Sequence, residues 1–460
     1  MSSRSRQWVT WLVLASLVSS VLSGNSSRVG LPVPADRLFL LAALGLMAVS
    51  RSHPELSRLR WRAVHTAMVA TLLWTAWSGL SHRTLLTNYG FFALLDRMAV
   101  PFLLFAVAPL VFAREEDRSR LLRTLTVLGL YLGITAVFEI AGPSALVFPR
   151  YIMDPSAGIL FGRARGPFVE AEADGMALAA CFFAAALSAA RSRGVWRAVS
   201  VASAGFSALG VLLTLTRSVW IGTTLGALMV VLAVPVLRRR IVLLAGGAVA
   251  ALVALLVLVP GLGPTLIERL TTARSVYDRQ NTNAAALRAI ADHPVNGIGW
   301  TRFLSDGTDW VRQADGYPVT NVDIEVHNVV LSRAAELGLV GAALWLCCVV
   351  AGPGLALLRR PEKSGLEDWH KVFLGYACVW GTCIMISPVP YVLPNNLLWL
   401  LAGVLLRQHL TRGPAGPLPG LPPVPWGQDG AGSSGTDVPA PTASRSSADH
   451  TSVAPASRSL

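Results

Sequence analysis

Apolar runs close to the length of a bilayer crossing recur along this chain, and short arginine clusters separate them. That alternation leaves few folds open, because a segment in lipid must satisfy its own backbone hydrogen bonds. Of 460 residues, 53% are hydrophobic and only 14% are charged. The expected fold is therefore all-α and polytopic, with the lipid bilayer as solvent. A formal net charge of +13 would suit a nucleic-acid binder. Here, however, the basic residues sit between apolar runs and no basic, aromatic-interleaved soluble domain exists, so they read as orientation signals and nucleic acid is excluded as a partner. Cys181, Cys347, Cys348, Cys378 and Cys383 all fall inside apolar runs, which predicts packing and neither a disulfide framework nor a metal site.

Twelve transmembrane helices are predicted, at about residues 8–22, 38–49, 61–80, 98–112, 121–140, 175–190, 195–215, 218–236, 241–260, 337–358, 372–386 and 395–406. The first follows a basic start and also resembles a signal peptide; the orientation argument favours an uncleaved helix. Residues 88–95 read as an interfacial helix, because Asp96-Arg97 interrupts the apolar pattern. Four regions result: 1–260 with nine helices, a long polar loop over 261–326, three helices over 327–406, and a tail over 407–460. The tail is rich in Pro, Ser, Gly and Ala and is expected to be disordered and cytoplasmic.

Alternate loops are densely basic, for example Arg58, Arg60 and Arg62, then Arg114, Arg118, Arg120 and Arg123, then Arg238, Arg239 and Arg240. The opposite set is sparser, and its long member counts weakly. This places both termini inside and the long loop on the outer face of a cytoplasmic membrane.

Four outward features carry candidate chemistry. Arg217 lies between apolar residues in LTLTRSVWIG, where a guanidinium is costly unless it meets a wet cavity or an anion; a snorkelling helix-end arginine is the simpler alternative. Arg279 stands just ahead of a short amphipathic helix, capped by Asn281 or Thr282 and stopped by His293-Pro294, where the helix N-terminus also favours an anion. The apolar face of that helix is read as Ala284, Leu287 and Ile290 or Ala291, and Arg288 with Asp292 as a surface ion pair. His327 begins the helix that leads into the tenth span and titrates near neutrality when unperturbed; Arg333 and Glu336 pair on it. RARGPFVEAEADG, with Arg163, Arg165 and three acids, either lines a polar site or is a solvated loop.

These residues resemble a known family. His327-Asn328, then nine residues, then Gly338-Leu339-Val340-Gly341 is similar to the His-Asn/Ser/Gln, nine residues, Gly-x-x-Gly pattern of O-antigen ligases. Arg279, Pro294 and Gly297-Ile298-Gly299 resemble the arginine, helix-ending proline and Gly-x-Gly turn of the same superfamily of ligases and polysaccharide polymerases. Thr216-Arg217 resembles its Thr-x-Ser-Arg segment with threonine for serine, and RGPFVEAEADG its Gly-x-Phe segment. One departure is Asn283, where ligases tend to carry leucine.

The resemblance implies a membrane glycosyltransferase, ligase or polymerase. It would move a saccharide from a polyprenyl diphosphate carrier to the hydroxyl of a glycan or lipid acceptor at the outer membrane face. His327 would act as base or orienting group for the acceptor. Arg279 and Arg217 would hold the diphosphate, with Arg165 and Asn328 as secondary site residues. No cofactor is implied, and guanidiniums in place of a metal ion make the expected reaction metal-independent. The alternatives are a multi-span transporter of a glycan or lipid-linked substrate, which would typically show an internal repeat not found here, and a non-catalytic scaffold.

Overall fold

A computed structural model of the chain describes residues 3–49, 59–258, 262–272, 274–312, 325–359 and 364–411. The tail predicted from 407 begins as a short helix, Arg407–Leu410, and from 412 onward lies outside the described residues. Among the described residues the structure is all-helical, with a single bridge between Leu59 and Thr411.

The longer helices are α1 (Ser3–Ser19), α2 (Ala35–Val49), α3 (Ala63–Ser81), α4 (Asn88–Val111), α5 (Glu115–Ala141), α6 (Ala171–Arg191) and α7 (Gly194–Leu213). They continue with α8 (Arg217–Ala233), α9 (Ile241–Leu258), α10 (Leu262–Thr271), α11 (Arg274–Asp292), α12 (Val329–Leu358), α13 (Ser364–Ile386) and α14 (Val392–Leu405). A helix stands at each of the twelve predicted positions. By length and composition six described helices suffice to cross a bilayer: Ser5–Val29, Asn88–Val111, Glu115–Ala141, Ala171–Arg191, Gly194–Leu213 and Val329–Leu358. Arg217–Ala233 and Val392–Leu405 are apolar but shorter.

The interfacial helix expected at 88–95 is instead continuous with the span that follows it. The join is a π turn at Leu95–Ala99, directly before Pro101. Proline cannot donate to the carbonyl four residues back, and its ring clashes there, so a widened turn at that point lets the helix run on. A second π turn, Val350–Gly354, contains Pro353 in α12. Asp96, expected to separate an interfacial helix from the span, is met by Arg37 of α2 at 2.8 Å.

Small residues and hydroxyls set the packing. α5, α6 and α7 form a tight trio, in which Ser203 donates to the Thr126 carbonyl (2.6 Å) and Ser207 to the Gly129 carbonyl (3.2 Å). Such contacts replace the missing hydrophobic drive between helices in lipid. α14 lies at the centre, with every residue from Leu393 to Leu405 buried, and packs on α4, α6 and α13. Loops predicted to share one membrane side meet at one end of the bundle. Arg191 pairs with Glu115 (3.0 Å) and Asp368 (2.9 Å), and Arg407 donates to the Ala113 carbonyl.

Candidate active site

At the other end, loops and helix termini enclose a cavity of about 730 Å³. It is built from four pieces of chain brought together by specific contacts.

The first piece is the start of α8. A tight turn, with Leu215 in the left-handed region, is held by Ala164 donating to the Leu213 carbonyl (3.1 Å). Arg217 then opens the helix and Ser218 follows. The Arg217 guanidinium reaches the Thr272 carbonyl at 3.4 Å, and Ser218 donates to Glu172 at 2.7 Å. Arg217 therefore lines the cavity at a helix N-terminus, where backbone dipoles add to its attraction for anions.

The second piece is α11, and here the sequence reading is corrected. The helix begins at Arg274, so Arg279 lies within it and not ahead of its N-terminus. Asn281 and Thr282 are buried helical residues, and the Thr282 hydroxyl bonds back to the Asp278 carbonyl (3.0 Å). A hydroxyl that satisfies itself in this way needs no capping position. The buried face is Ala285, Ala286 and Ala289, while Leu287 is 56% exposed. Alanines let α11 lie close against the first half of α12, around Ala335, and against Val326 just before it. The expected Arg288–Asp292 ion pair is replaced by shared contact with Trp310: Arg288 donates to its carbonyl (2.7 Å) and its indole donates to Asp292 (2.8 Å).

The third piece carries His327, which lies on the non-helical segment before α12 and not on the helix. Asn328 is the N-cap, accepting from the Leu331 amide (3.1 Å) and donating to the Met385 carbonyl (3.3 Å). Its role is thus to begin the helix, and it is absent from the cavity wall among the described residues. α12 breaks at Gly338 (φ 70°), and the Gly297-Ile298-Gly299 turn fills the break. Ile298 and Gly299 donate to the carbonyls of Ala335 (2.9 Å) and Glu336 (3.0 Å), and Leu339 donates to that of Pro294 (2.8 Å). The two glycine motifs are therefore two halves of one clasp between α11 and α12. Arg333 and Glu336 do pair on α12, at 3.7 Å and buried.

The fourth piece is the loop before α6. Arg165 does not line the cavity. It is fully buried, donating to the carbonyls of Ala157 (2.5 Å) and Ile152 (2.8 Å), with Glu139 3.5 Å from its Nε. Its place as a secondary site residue is corrected to that of the loop's internal brace. Arg163, Glu170 and Glu172 face the cavity instead. The Ser387–Tyr391 turn closes the wall, with Tyr391 donating to Glu172 at 3.3 Å.

Arg217, Arg279 and His327 thus line one cavity, and they sense one another. Burial lowers the Arg279 pKa, Arg217 pushes it further down, and Glu172 opposes both. Burial brings His327 down to about 4, and the Arg279 charge acts in the same direction. The imidazole is consequently neutral at physiological pH, with its Nδ1 buried and without a hydrogen-bond partner among the described residues. Glu325, two residues earlier, is disfavoured as an anion by burial. Arg97 (2.6 Å) and Tyr89 nevertheless hold it ionised, with its pKa below the usual range. Among the described residues no three His, Cys, Asp or Glu side chains gather as a metal-binding group.

Residues 202–346 match the family model for O-antigen ligase. That segment is similar to O-antigen ligase. The matched segment contains Arg217, Arg279, His327 and both glycine motifs. No curated protein matches the chain. Glu170, Glu172 and Tyr391 lie outside the matched residues. In the sequence the two acids read only as part of a polar loop, and Tyr391 carries no signal. Nothing in SPVPY distinguishes a cavity wall from an ordinary proline turn.

Proposed function

We propose that this O-antigen ligase-like membrane enzyme moves a saccharide from a polyprenyl diphosphate carrier to an acceptor hydroxyl, at the outer face of the cytoplasmic membrane. The observation that carries the reading is the meeting of Arg217, Arg279 and His327 in a single cavity. Its volume of about 730 Å³ suits a diphosphate with the first sugars of a glycan.

The chemistry asks for three things. The anomeric C–O bond to phosphate must break with its electron pair on the diphosphate, so cationic donors must meet that developing charge. Arg217 and Arg279, with the α8 N-terminus, supply them without a metal ion. The acceptor hydroxyl must be aligned, and a neutral imidazole on the cavity wall can do this as base or as orienting group. The carrier's lipid must reach the site, and Ile159, Leu160, Leu215 and Leu304 make an apolar flank. We read the twelve helices as spans with both termini cytoplasmic, which puts the cavity on the outer side.

Binding of the anionic donor would also act on His327. Neutralising Arg279 removes one of the two influences that depress the imidazole, so the group becomes more basic only once the donor is in place.

The test is a transfer assay in liposomes with lipid-linked glycan from the native membrane. Release of polyprenyl diphosphate that depends on His327, Arg217 and Arg279 supports the reading. Passage of intact lipid-linked glycan across the bilayer without release would replace it with a transporter.

A further inference from the structure

Four acids on the cavity wall, Glu170, Glu172, Asp278 and Glu325, differ in what holds them, and Asp278 beside Arg279 keeps one carboxylate oxygen buried and without a hydrogen-bond partner among the described residues. Glu172 is clasped by Ser218 (2.7 Å) and Tyr391 (3.3 Å). Glu325 is clasped by Arg97 (2.6 Å) and Tyr89. Glu170 has no comparable side-chain clasp among the described residues; the Glu172 charge and backbone amide act on it first, and Arg163 and Arg165 through space.

Its mount is nonetheless rigid. Arg165 and Gly166 donate their backbone amides to Glu139 (2.9 and 3.0 Å), and Tyr151 donates to the Pro167 carbonyl (2.7 Å). Immediately before Glu170, buried Val169 is held at φ 54°. A β-branched residue adopts the left-handed region only where its surroundings force it. The turn so made leads the chain from the braced loop into α6 with Glu170 as its N-cap, at the cavity wall.

We propose that Glu170 receives the proton of the acceptor hydroxyl, while His327 orients that hydroxyl. This deepens the transfer reading above and rests on it. In the step, the acceptor oxygen forms a bond to the anomeric carbon and its proton passes to the Glu170 carboxylate. The carbon–oxygen bond to the diphosphate breaks, and the leaving diphosphate keeps the electron pair beside Arg217 and Arg279. Burial and the neighbouring Glu172 charge push the Glu170 carboxyl up to about 7, a better match to a working base at neutral pH than an imidazole near 4. The assignment stands on placement: Glu170, fixed at a helix N-cap, and His327 line the same cavity as the two guanidiniums.

Wild type, Glu170→Gln and Glu170→Asp are compared in lipid nanodiscs. Transfer is read as polyprenyl diphosphate released from lipid-linked glycan of the native membrane, and anion binding as affinity for farnesyl diphosphate. The expected result is a loss of about 100-fold or more in transfer for Glu170→Gln, farnesyl diphosphate affinity within about threefold of wild type, and recovery of about tenfold in Glu170→Asp. Glu170→Gln retaining more than about a tenth of the transfer rate, or losing farnesyl diphosphate binding in step with transfer, overturns the assignment. Wild type that neither binds farnesyl diphosphate nor releases carrier overturns the transfer reading itself, a result distinct from either.

Discussion

The backbone amide of Leu339 donates to the carbonyl of Pro294 at 2.8 Å, across a gap in α12 that only a glycine-bearing turn can enter. A side chain on Gly338 would stand 2.0 Å from the Val295 carbonyl, and one on Gly297 about 2.4 Å from the Glu336 backbone. Through this contact the helix bearing Arg279 is fixed to the segment bearing His327.

Gly338→Ala should therefore loosen the site as well as the fold. Both the left-handed backbone (φ 70°) and the clash oppose it, and a loss of about 2 kcal/mol or more is expected. Gly205→Ala, where a methyl meets nothing within 4 Å, should stay within about 0.5 kcal/mol. Thermal unfolding in detergent compares the two, and farnesyl diphosphate affinity should fall only in the first.

Arg279→Ala and Arg217→Ala should each lower transfer by about 10²–10³-fold, as expected for loss of a charge-stabilising donor. Their effects should not multiply in the double variant, because the two guanidiniums act on each other and would share one ligand. Single-turnover rates of the four proteins measure the coupling. Arg279→Lys should recover only part of the loss, since an ammonium lacks the forked geometry.

The pH dependence has a stated sign. His327 is held near 4 when folded against about 6.5 when free. The folded protein thus binds fewer protons there than the unfolded chain. This contribution to stability is fully present above pH 6.5 and is lost as pH falls through about 4. In kcat/KM, which reports the empty enzyme, wild type should show an acid limb near 7 from Glu170. Glu170→Gln should lose that limb and leave the lower one, which His327→Gln should remove.

Arg165→Met should damage folding before it damages chemistry. The guanidinium holds two loop carbonyls at 2.8 Å or less and faces Glu139. Removing it strands a buried carboxylate at a cost of about 3–5 kcal/mol. The expected outcome is a large drop in unfolding temperature. The Arg165→Met, Glu139→Gln pair should be less damaging than the single change.

Much of this architecture is readable from residue order, and the misreadings have common causes. Helices appear where apolar runs predict them because, in lipid, the backbone has no other way to satisfy itself. Arg217, Arg279 and His327 are conspicuous because each sets a charged or titratable group against apolar neighbours. The start of α11 is missed because Asn281 and Thr282 are good caps in isolation, and only packing against α12 shows that they lie inside the helix. Asp96 conceals a continuous helix because its partner, Arg37, is distant in sequence. Arg163 faces the cavity in the place expected of Arg165, because nothing local tells which of the two will turn inward to the loop's own carbonyls.

The cavity draws its wall from positions as far apart as Ile159 and Tyr391. A fragment cut to the ligase-family boundaries at 202 and 346 would keep both guanidiniums and the imidazole. It would forfeit Glu170, the Glu172–Tyr391 contact and the brace under the loop. Grafting that fragment onto another membrane scaffold should give a protein that grips pyrophosphate yet leaves the sugar where it was.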